Sequence, residues 1–335
     1  MRKILITGGT IFVSRYIAEH FVNFIPEYTS EEKAEVYVLN RGTRRQVKGV
    51  HHICCDKNDI GDRLKKYDFD AVIAVNTYTK DEMKALLDAL GSFKDFIFIS
   101  SSAVYPETLP QPFREDQTCG ENSIWGAYGI NKLEAENYLL SQCPNAYILR
   151  PPYLYGSMNN LYREGFVFDC AVAERPFYMP NDGSMKLQFF HVNDLCRFID
   201  ILLRVHPNRN IFNVGNPQPE TIKSFVKACY KALGDKPTLI SVSDEHFQRS
   251  YFPFHNYSYV LDVTEMLSLM GDTMPFDKGI REAYEWYREN SNEVNKKPYF
   301  EYIDISILNS DCAKSNVCLM HTVLRRLGAA GELLF

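Results

Sequence analysis

Three side chains in this sequence have types and spacing suited to moving a proton and a hydride together. Tyr128 and Lys132 stand four residues apart in the segment YGINK. On a helix that spacing projects both from one face, about one turn apart. A free phenol titrates near ~10 and is a poor base at neutral pH. A lysine ammonium one turn away would favour the phenolate and bring it toward working range. Upstream, FIFISSSAVY (Phe96 to Tyr105) ends an apolar run in three serines. A hydroxyl there, Ser101 by preference, would hold a substrate oxygen in line with the tyrosine. That trio is what alcohol-to-ketone interconversion requires.

The elements that must position these groups follow from the hydrophobic pattern. Phe96 to Ile99 is a short β-branched and aromatic run, read as a buried strand. After Tyr128, residues Leu133, Ala135, Tyr138 and Leu139 recur at helical spacing, with Glu134 and Glu136 on other faces. At the N-terminus, Lys3 to Thr7 reads as a strand, Gly8-Gly9-Thr10 as a turn, and the residues through about Phe24 as a helix. Strand, glycine turn and helix form a mononucleotide-binding unit, in which the helix N-terminus faces a pyrophosphate. Further strands are expected at Glu35 to Asn40, His51 to Asp56, Asp70 onward, Tyr147 onward and Ile211 to Asn216, and helices at 80–91, after Phe189 and at 277–290. Pro106 to Trp125 reads as a loop over the site.

With these pieces in order, the sequence resembles the extended short-chain dehydrogenase/reductases, also called the NAD-dependent epimerase/dehydratase family. The resemblance rests on TGGT at Thr7 to Thr10, SSAVY at Ser101 to Tyr105, YGINK, LRPPYLYG at Leu149 to Gly156 and FFHVNDL at Phe189 to Leu195, and covers roughly residues 1–300. It implies an α/β fold: a Rossmann-type doubly wound parallel sheet with a smaller C-terminal substrate lobe. The expected division is 1–156 with 188–216 returning to it, a lobe of 157–187 and 217–302, and an atypical tail of 303–335. It implies Ser101, Tyr128 and Lys132 as the catalytic set, Lys132 also bonding the nicotinamide ribose. Thr7, Gly8, Gly9, Thr10, Ile11 and Phe12 would carry the cofactor phosphates, Asp56 the adenine amino group, and Pro151 the floor beneath the nicotinamide. Asn76 would line the cofactor cleft, or be only a turn residue. The expected substrate is a nucleotide sugar, most simply at C4, with Ser102, Asn160 and Arg249 as contacts.

Several positions depart from the family pattern. The glycine signature T-G-x-x-G-x-x-G has Ile11 and Ser14 at its second and third glycines. Ser14 is small and could donate to a phosphate, whereas Ile11 is harder to accommodate. Where an acidic residue would mark NAD, Asn40 and Arg41 stand. Asn40 can bond ribose and a guanidinium can pair with a 2′-phosphate, so NAD and NADP are both expected cofactors. Sugar-nucleotide dehydratases carry Asp and Glu after the serine; Ser102 and Ala103 occupy those positions here. An alanine cannot move a proton, which argues against 4,6-dehydration. The R-D-F that often precedes the histidine of FFHVNDL is Leu187-Gln188-Phe189, leaving Arg249, Lys186, Arg175 and Arg163 as candidate diphosphate partners.

Bulk composition agrees with a globular enzyme. Apolar residues make up 45% and charged residues 24% of the 335, and the formal charge of −5 argues against a dominant nucleic-acid surface. No apolar run approaches a membrane span, and the N-terminus enters a strand without room for a secretion signal. Nine cysteines without a C-x-x-C pair read as reduced thiols in cytoplasm, with no metal site. A cytoplasmic homodimer that binds neither nucleic acid nor membrane is expected. The competing expectation, drawn from divergent relatives, is a non-catalytic NAD(P)-binding regulator or an RNA-binding protein of the same fold.

Overall fold

A computed structural model describes residues 2–23 and 34–308. The first half runs β1 (Lys3–Thr7), α1 (Phe12–Asn23), β2 (Glu35–Asn40), β3 (His51–Cys54), β4 (Asp68–Ala74), α2 (Lys80–Ala89), β5 (Ser92–Ile99), α3 (Ala127–Gln142) and β6 (Tyr147–Arg150). It continues with β7 (Tyr153–Tyr155), α4 (Glu164–Val172), β8 (Phe177–Pro180), β9 (Lys186–Leu187), β10 (Phe189–His191), α5 (Val192–Val205) and β11 (Ile211–Asn213). The remainder is β12 (Glu220–Thr221), α6 (Ile222–Ala232), β13 (Leu239–Val242), α7 (Thr264–Met270), α8 (Phe276–Asn290) and α9 (Tyr299–Tyr302).

Seven strands form one parallel sheet in the order β11-β6-β5-β4-β1-β2-β3. The order reverses between β1 and β4, which opens a crevice at the carboxyl ends of those strands. A parallel sheet is covered on both faces, so its strands are apolar throughout, and alternate residues enter two different cores. Ile4 and Ile6 of β1 and Ile97 and Ile99 of β5 join Ile17, Phe21, Phe198 and Leu202 on the α1–α5 side. Leu5, Phe96 and Phe98 join Met83, Leu86, Ala135 and Leu139 on the α2–α3 side. A third core holds the aromatic-rich C-terminal part, where Phe166, Phe189, Phe225, Phe254 and Tyr287 pack together. Ile303 and Ile307 are buried in that same core, and Arg175 is paired with Asp304. Residues 309–335 lie outside the described part.

Local differences from the sequence reading have identifiable causes. The central strand starts at Ser92, because β5 pairs with β4 from Asp68 onward, well before the apolar run begins. Helix α2 consequently ends at Ala89, short of Gly91. FFHVNDL does not rejoin the main sheet as a strand: β10 pairs with β7 in a separate two-stranded ribbon, and only α5 packs back against α1. Helix α5 is capped by His191, whose Nδ1 accepts from the Asn193 amide at 3.3 Å, and Asp194 accepts from the Met274 amide at 2.6 Å and braces that loop.

Two features bring the site together. Gly129 lies where a Cβ would meet the Ala103 carbonyl oxygen at 2.3 Å, so only glycine lets α3 approach the serine turn this closely. Behind that turn, Arg150 and Glu136 form a bidentate pair at 2.6 and 3.1 Å, both side chains almost fully buried. Ser100 donates to the same carboxylate, and Arg150 donates to the Tyr105 hydroxyl at 2.8 Å. Replacing Arg150 by Met would leave Glu136 a buried, unpaired carboxylate, at a cost of about 3–5 kcal/mol. Denaturant unfolding of Arg150→Met should show that loss, and adding Glu136→Leu should recover much of it.

Candidate active site

A cleft of about 840 Å³ opens at the carboxyl ends of β1, β2, β4 and β5, at the point where the strand order reverses. Gly8, Thr10, Ile11 and Phe12 line it from the first turn, Asn40 and Arg41 from the end of β2, and Asp56 and Asn76 from the next two loops. Lys132 and Pro151 complete the expected cofactor positions along its wall. Thr7 and Gly9 do not reach it. The Thr7 hydroxyl accepts from the Val75 and Asn76 amides at 2.9 and 3.3 Å, which ties β1 to the loop after β4. At Gly9 the φ is +91° and a Cβ would lie 2.6 Å from Val38, so this glycine serves packing against β2.

The altered glycine turn keeps the cleft open. Ile11 is 39% exposed on its rim and does not fill it. Phe12 takes the turn into α1 with φ of 35°, a conformation held by its buried ring. Ser14 is not oriented to serve a phosphate, because its hydroxyl donates to the Ile11 carbonyl at 3.0 Å and sits where a Gly8 side chain would be. Asn40 is likewise committed: its amide donates to the Gly8 carbonyl at 2.7 Å and to Gln46 at 2.9 Å, while its oxygen accepts from the Gly42 amide at 2.9 Å. These bonds brace the turn. Gln46, five residues beyond Arg41, carried no sequence signal for this. Asp56 accepts from the Asn58 amide at 2.9 Å, and the Asn76 side-chain oxygen is buried without a partner beside the cleft.

Ser101, Tyr128 and Lys132 line one wall of this cleft. Ser101 lies two residues beyond β5 in extended conformation, and its hydroxyl accepts from the Ala103 amide at 3.1 Å. Tyr128, in the first turn of α3, is 40% exposed and faces the opening. Lys132 is buried, and its Nζ donates to the carbonyls of Thr77 and Ile99 at 2.8 Å each. That geometry corrects the expected electrostatics. Burial of the hydroxyl raises the Tyr128 pKa, and the groups that pull it back are Ser101 and Arg163, not Lys132. The lysine is the more perturbed group: desolvation lowers it to about 7, against opposing attraction from Glu136 and Glu82. Tyr78 had no sequence signal, yet it joins the wall, with the Lys132 ammonium 4.9 Å from its ring centroid.

Beyond the trio lies a smaller pocket of about 280 Å³, which shares Ser101, Tyr128, Pro152 and Arg163 with the large cleft. Trp125, Tyr153 and Tyr259 form its aromatic walls. Of the expected substrate contacts, Ser102 faces this pocket but donates its hydroxyl to the Pro151 carbonyl at 2.8 Å. Asn160 lines the large cleft. Arg249 lines neither cavity and interacts with Tyr299, so it is not placed as a substrate contact. Arg163, by contrast, lines both cavities. Leu187 and Gln188, the first two positions of the expected R-D-F, are wholly buried, and Gln188 bonds the backbone of Asn216 and Leu261. Among the described residues no helix is long and apolar enough to cross a membrane, and no cluster of three metal-ligating side chains occurs.

The family model described as "NAD dependent epimerase/dehydratase family" matches residues 4–215. The chain belongs to that family. Among similar curated proteins, the chloroplast stem-loop binding protein of 41 kDa b from Arabidopsis thaliana is 28% identical, over 84% of this chain and 78% of its own. The dTDP-glucose 4,6-dehydratase of Haemophilus influenzae is 24% identical, over 87% and 99% respectively. Among solved structures, UDP-glucose 4-epimerase from Thermotoga maritima with UDP-glucose superposes with a TM-score of 0.69 at 17% identity, covering 86% of this chain and 99% of that one. The NAD complex of Bacillus anthracis dTDP-glucose 4,6-dehydratase gives 0.69 at 17%, covering 88% and 99%. Likeness at that identity speaks for the fold, a Rossmann-type α/β sheet.

Within this family fold, the buried lysine leaves a signature in stability. Folded Lys132 titrates at about 7 and an unfolded lysine at 10.5. Between those values the unfolded chain holds a proton that the folded chain lacks, so this residue's contribution to stability rises with pH across the window. Thermal melts of the ligand-free protein, compared with Lys132→Met, should show the stability of the wild type relative to the variant increasing from pH 7 toward pH 10.

Proposed function

We propose that this chain is an NAD(P)-dependent epimerase or oxidoreductase acting on a hydroxyl-bearing carbon of a nucleotide sugar, C4 by analogy with the family. The observation that carries this reading is the position of Ser101 and Tyr128 at the junction of the two cavities. One cavity has the size and glycine turn of a dinucleotide cleft; the other is sized for a sugar-scale group. The unpartnered Asn76 oxygen and the open rim at Ile11 are compatible with a bound dinucleotide. Gly8, Thr10, Ile11 and Arg41 would hold NAD(P), with Lys132 at its nicotinamide ribose. When bound, the cofactor supplies the hydride acceptor or donor.

The protein's part is proton management and orientation. Ser101 holds the substrate oxygen. Tyr128 has its pKa raised in the ligand-free structure and stands as a phenol, the form that donates a proton to a carbonyl oxygen being reduced. In the oxidising direction the same oxygen takes the proton from the substrate hydroxyl. Lys132 fixes the wall against which this occurs. With Ala103 buried against Gly129 where dehydratases carry a carboxylate, that position supplies no acid to expel water. Epimerisation follows if the ketone is re-reduced from its other face, and net oxidation or reduction if it leaves.

The test is turnover of UDP-, GDP- and dTDP-hexoses with NAD and with NADP. Tyr128→Phe should lower kcat by roughly 10²–10⁴-fold while leaving dinucleotide binding intact. Absence of any Tyr128-dependent turnover across the panel would overturn the reading. The resemblance to a stem-loop binding protein motivates a second reading, an RNA-binding protein of the same fold. The formal charge of −5 opposes it, because affinity for nucleic acid rests on neutralising phosphates. Salt-sensitive binding of a stem-loop RNA, unchanged in Tyr128→Phe and accompanied by no turnover, would favour it.

A further inference from the structure

The small pocket beyond Ser101 and Tyr128 is rich in hydrogen-bond donors and has no carboxylate in its lining. Arg163 enters it just before α4, its guanidinium stacked 4.9 Å from the Tyr153 ring centroid. The only hydrogen bond its guanidinium makes among the described residues is a long one, 3.3 Å to the Leu154 carbonyl. The neighbouring Glu164, buried and accepting from the Asn159 amide at 2.9 Å, acts on the guanidinium through space but makes no hydrogen bond to it among the described residues. Two neutral donors share the pocket. The Trp125 indole N–H is buried without a partner, and the Tyr259 hydroxyl, on a residue only 2% exposed, meets no partner in hydrogen-bonding geometry although it lies beside Ser102.

Buried donors without acceptors destabilise a fold, and a half-buried guanidinium with most of its donors unpaired adds to that cost. A ligand that brings acceptor oxygens removes both penalties. Ser101 and Tyr128 are already engaged with the reacting oxygen, so these donors serve a different substituent. A planar two-oxygen anion suits a guanidinium fork, and the aromatic walls suit the face of a sugar ring. Positive potential extends past Arg163: burial lowers the His255 pKa first, and Arg249 and Arg163 lower it further. His255 packs edge-on against Trp125 at 5.0 Å.

We infer that this pocket recognises the carboxylate of an acidic sugar, making the substrate a nucleotide-linked uronic acid and Arg163 its specificity-determining residue. The inference rests on the nucleotide-sugar reading above and narrows it. The diphosphate of the same ligand is the other oxyanion that could reach Arg163, and the two sources are separable. Calorimetric titration of the full chain with UDP-glucuronate, UDP-glucose and UDP alone should find the uronate bound at least about tenfold tighter than the neutral hexose. Arg163→Gln should erase that preference and leave the affinity for UDP unchanged; Trp125→Phe should narrow it severalfold. Should Arg163→Gln not fold, Arg163→Lys and Trp125→Phe carry the comparison, the lysine retaining charge but losing the fork. Equal affinity for uronate and hexose overturns the inference, as does a loss of UDP affinity in Arg163→Gln equal to the loss of UDP-glucuronate. NADH binding, followed by fluorescence in the same preparations, separates the two levels. Dinucleotide binding with hexose turnover but no acid preference sinks only this inference, whereas no dinucleotide binding at all sinks the reading beneath it.

Discussion

The site depends on one buried ammonium. Lys132 reaches across from α3 and donates to the carbonyls of Thr77 and Ile99, one from the loop after β4 and one from the last residue of β5. Those carbonyls lie at strand ends, where the sheet has no further ladder to satisfy them. A single side chain thus closes the backbone at the place where the strand order reverses and fixes α3 against the cleft. The cost is desolvation of a charge, visible in the lowered lysine pKa and offset by Glu136 one turn further along the helix. Glu136 is in turn held by Arg150 and Ser100, so the charge balance of the catalytic wall continues into the core behind it.

This arrangement changes the account of the tyrosine. Helical spacing alone suggested that the ammonium acts on the phenol through space. In the folded protein the ammonium is turned toward backbone carbonyls, and the phenol is governed by its own burial, by Ser101 and by Arg163. The lysine's contribution is architectural before it is electrostatic. Arg163, the residue just before α4, lines both cavities and acts electrostatically on Tyr128.

The departures from the family's glycine signature are compensated locally. Ser14 fills the space above Gly8 and ties itself to the Ile11 carbonyl, so the turn is as compact as one built from glycines, but its hydroxyl is spent. Ile11 is displaced to the rim. Asn40 stands where an acidic residue was expected and bonds the glycine turn after β1, leaving Arg41 and Arg44 as exposed charges at that end of the cleft.

The sequence by itself determined the fold and the three catalytic candidates. Apolar runs of strand length, a glycine turn and a helical tyrosine–lysine pair are local patterns, and local patterns survive in one dimension. It also placed most of the cleft lining, because loops after successive parallel strands converge at one edge of the sheet. The tertiary structure alone decided which way each polar group points. Asn40 and Ser14 were legible as cleft residues but not as spent ones, since their partners Gln46 and the Ile11 carbonyl follow from the fold of the turn. Arg163 and Arg249 were indistinguishable as surface-type arginines; packing put one at the junction of two cavities and the other beside Tyr299. Tyr78 and Trp125 came to the site through loops whose course is set by distant contacts, such as the bridge between Phe113 and Leu261. Hydrogen-bond direction and burial are properties of the assembled chain, because each depends on neighbours far away in sequence.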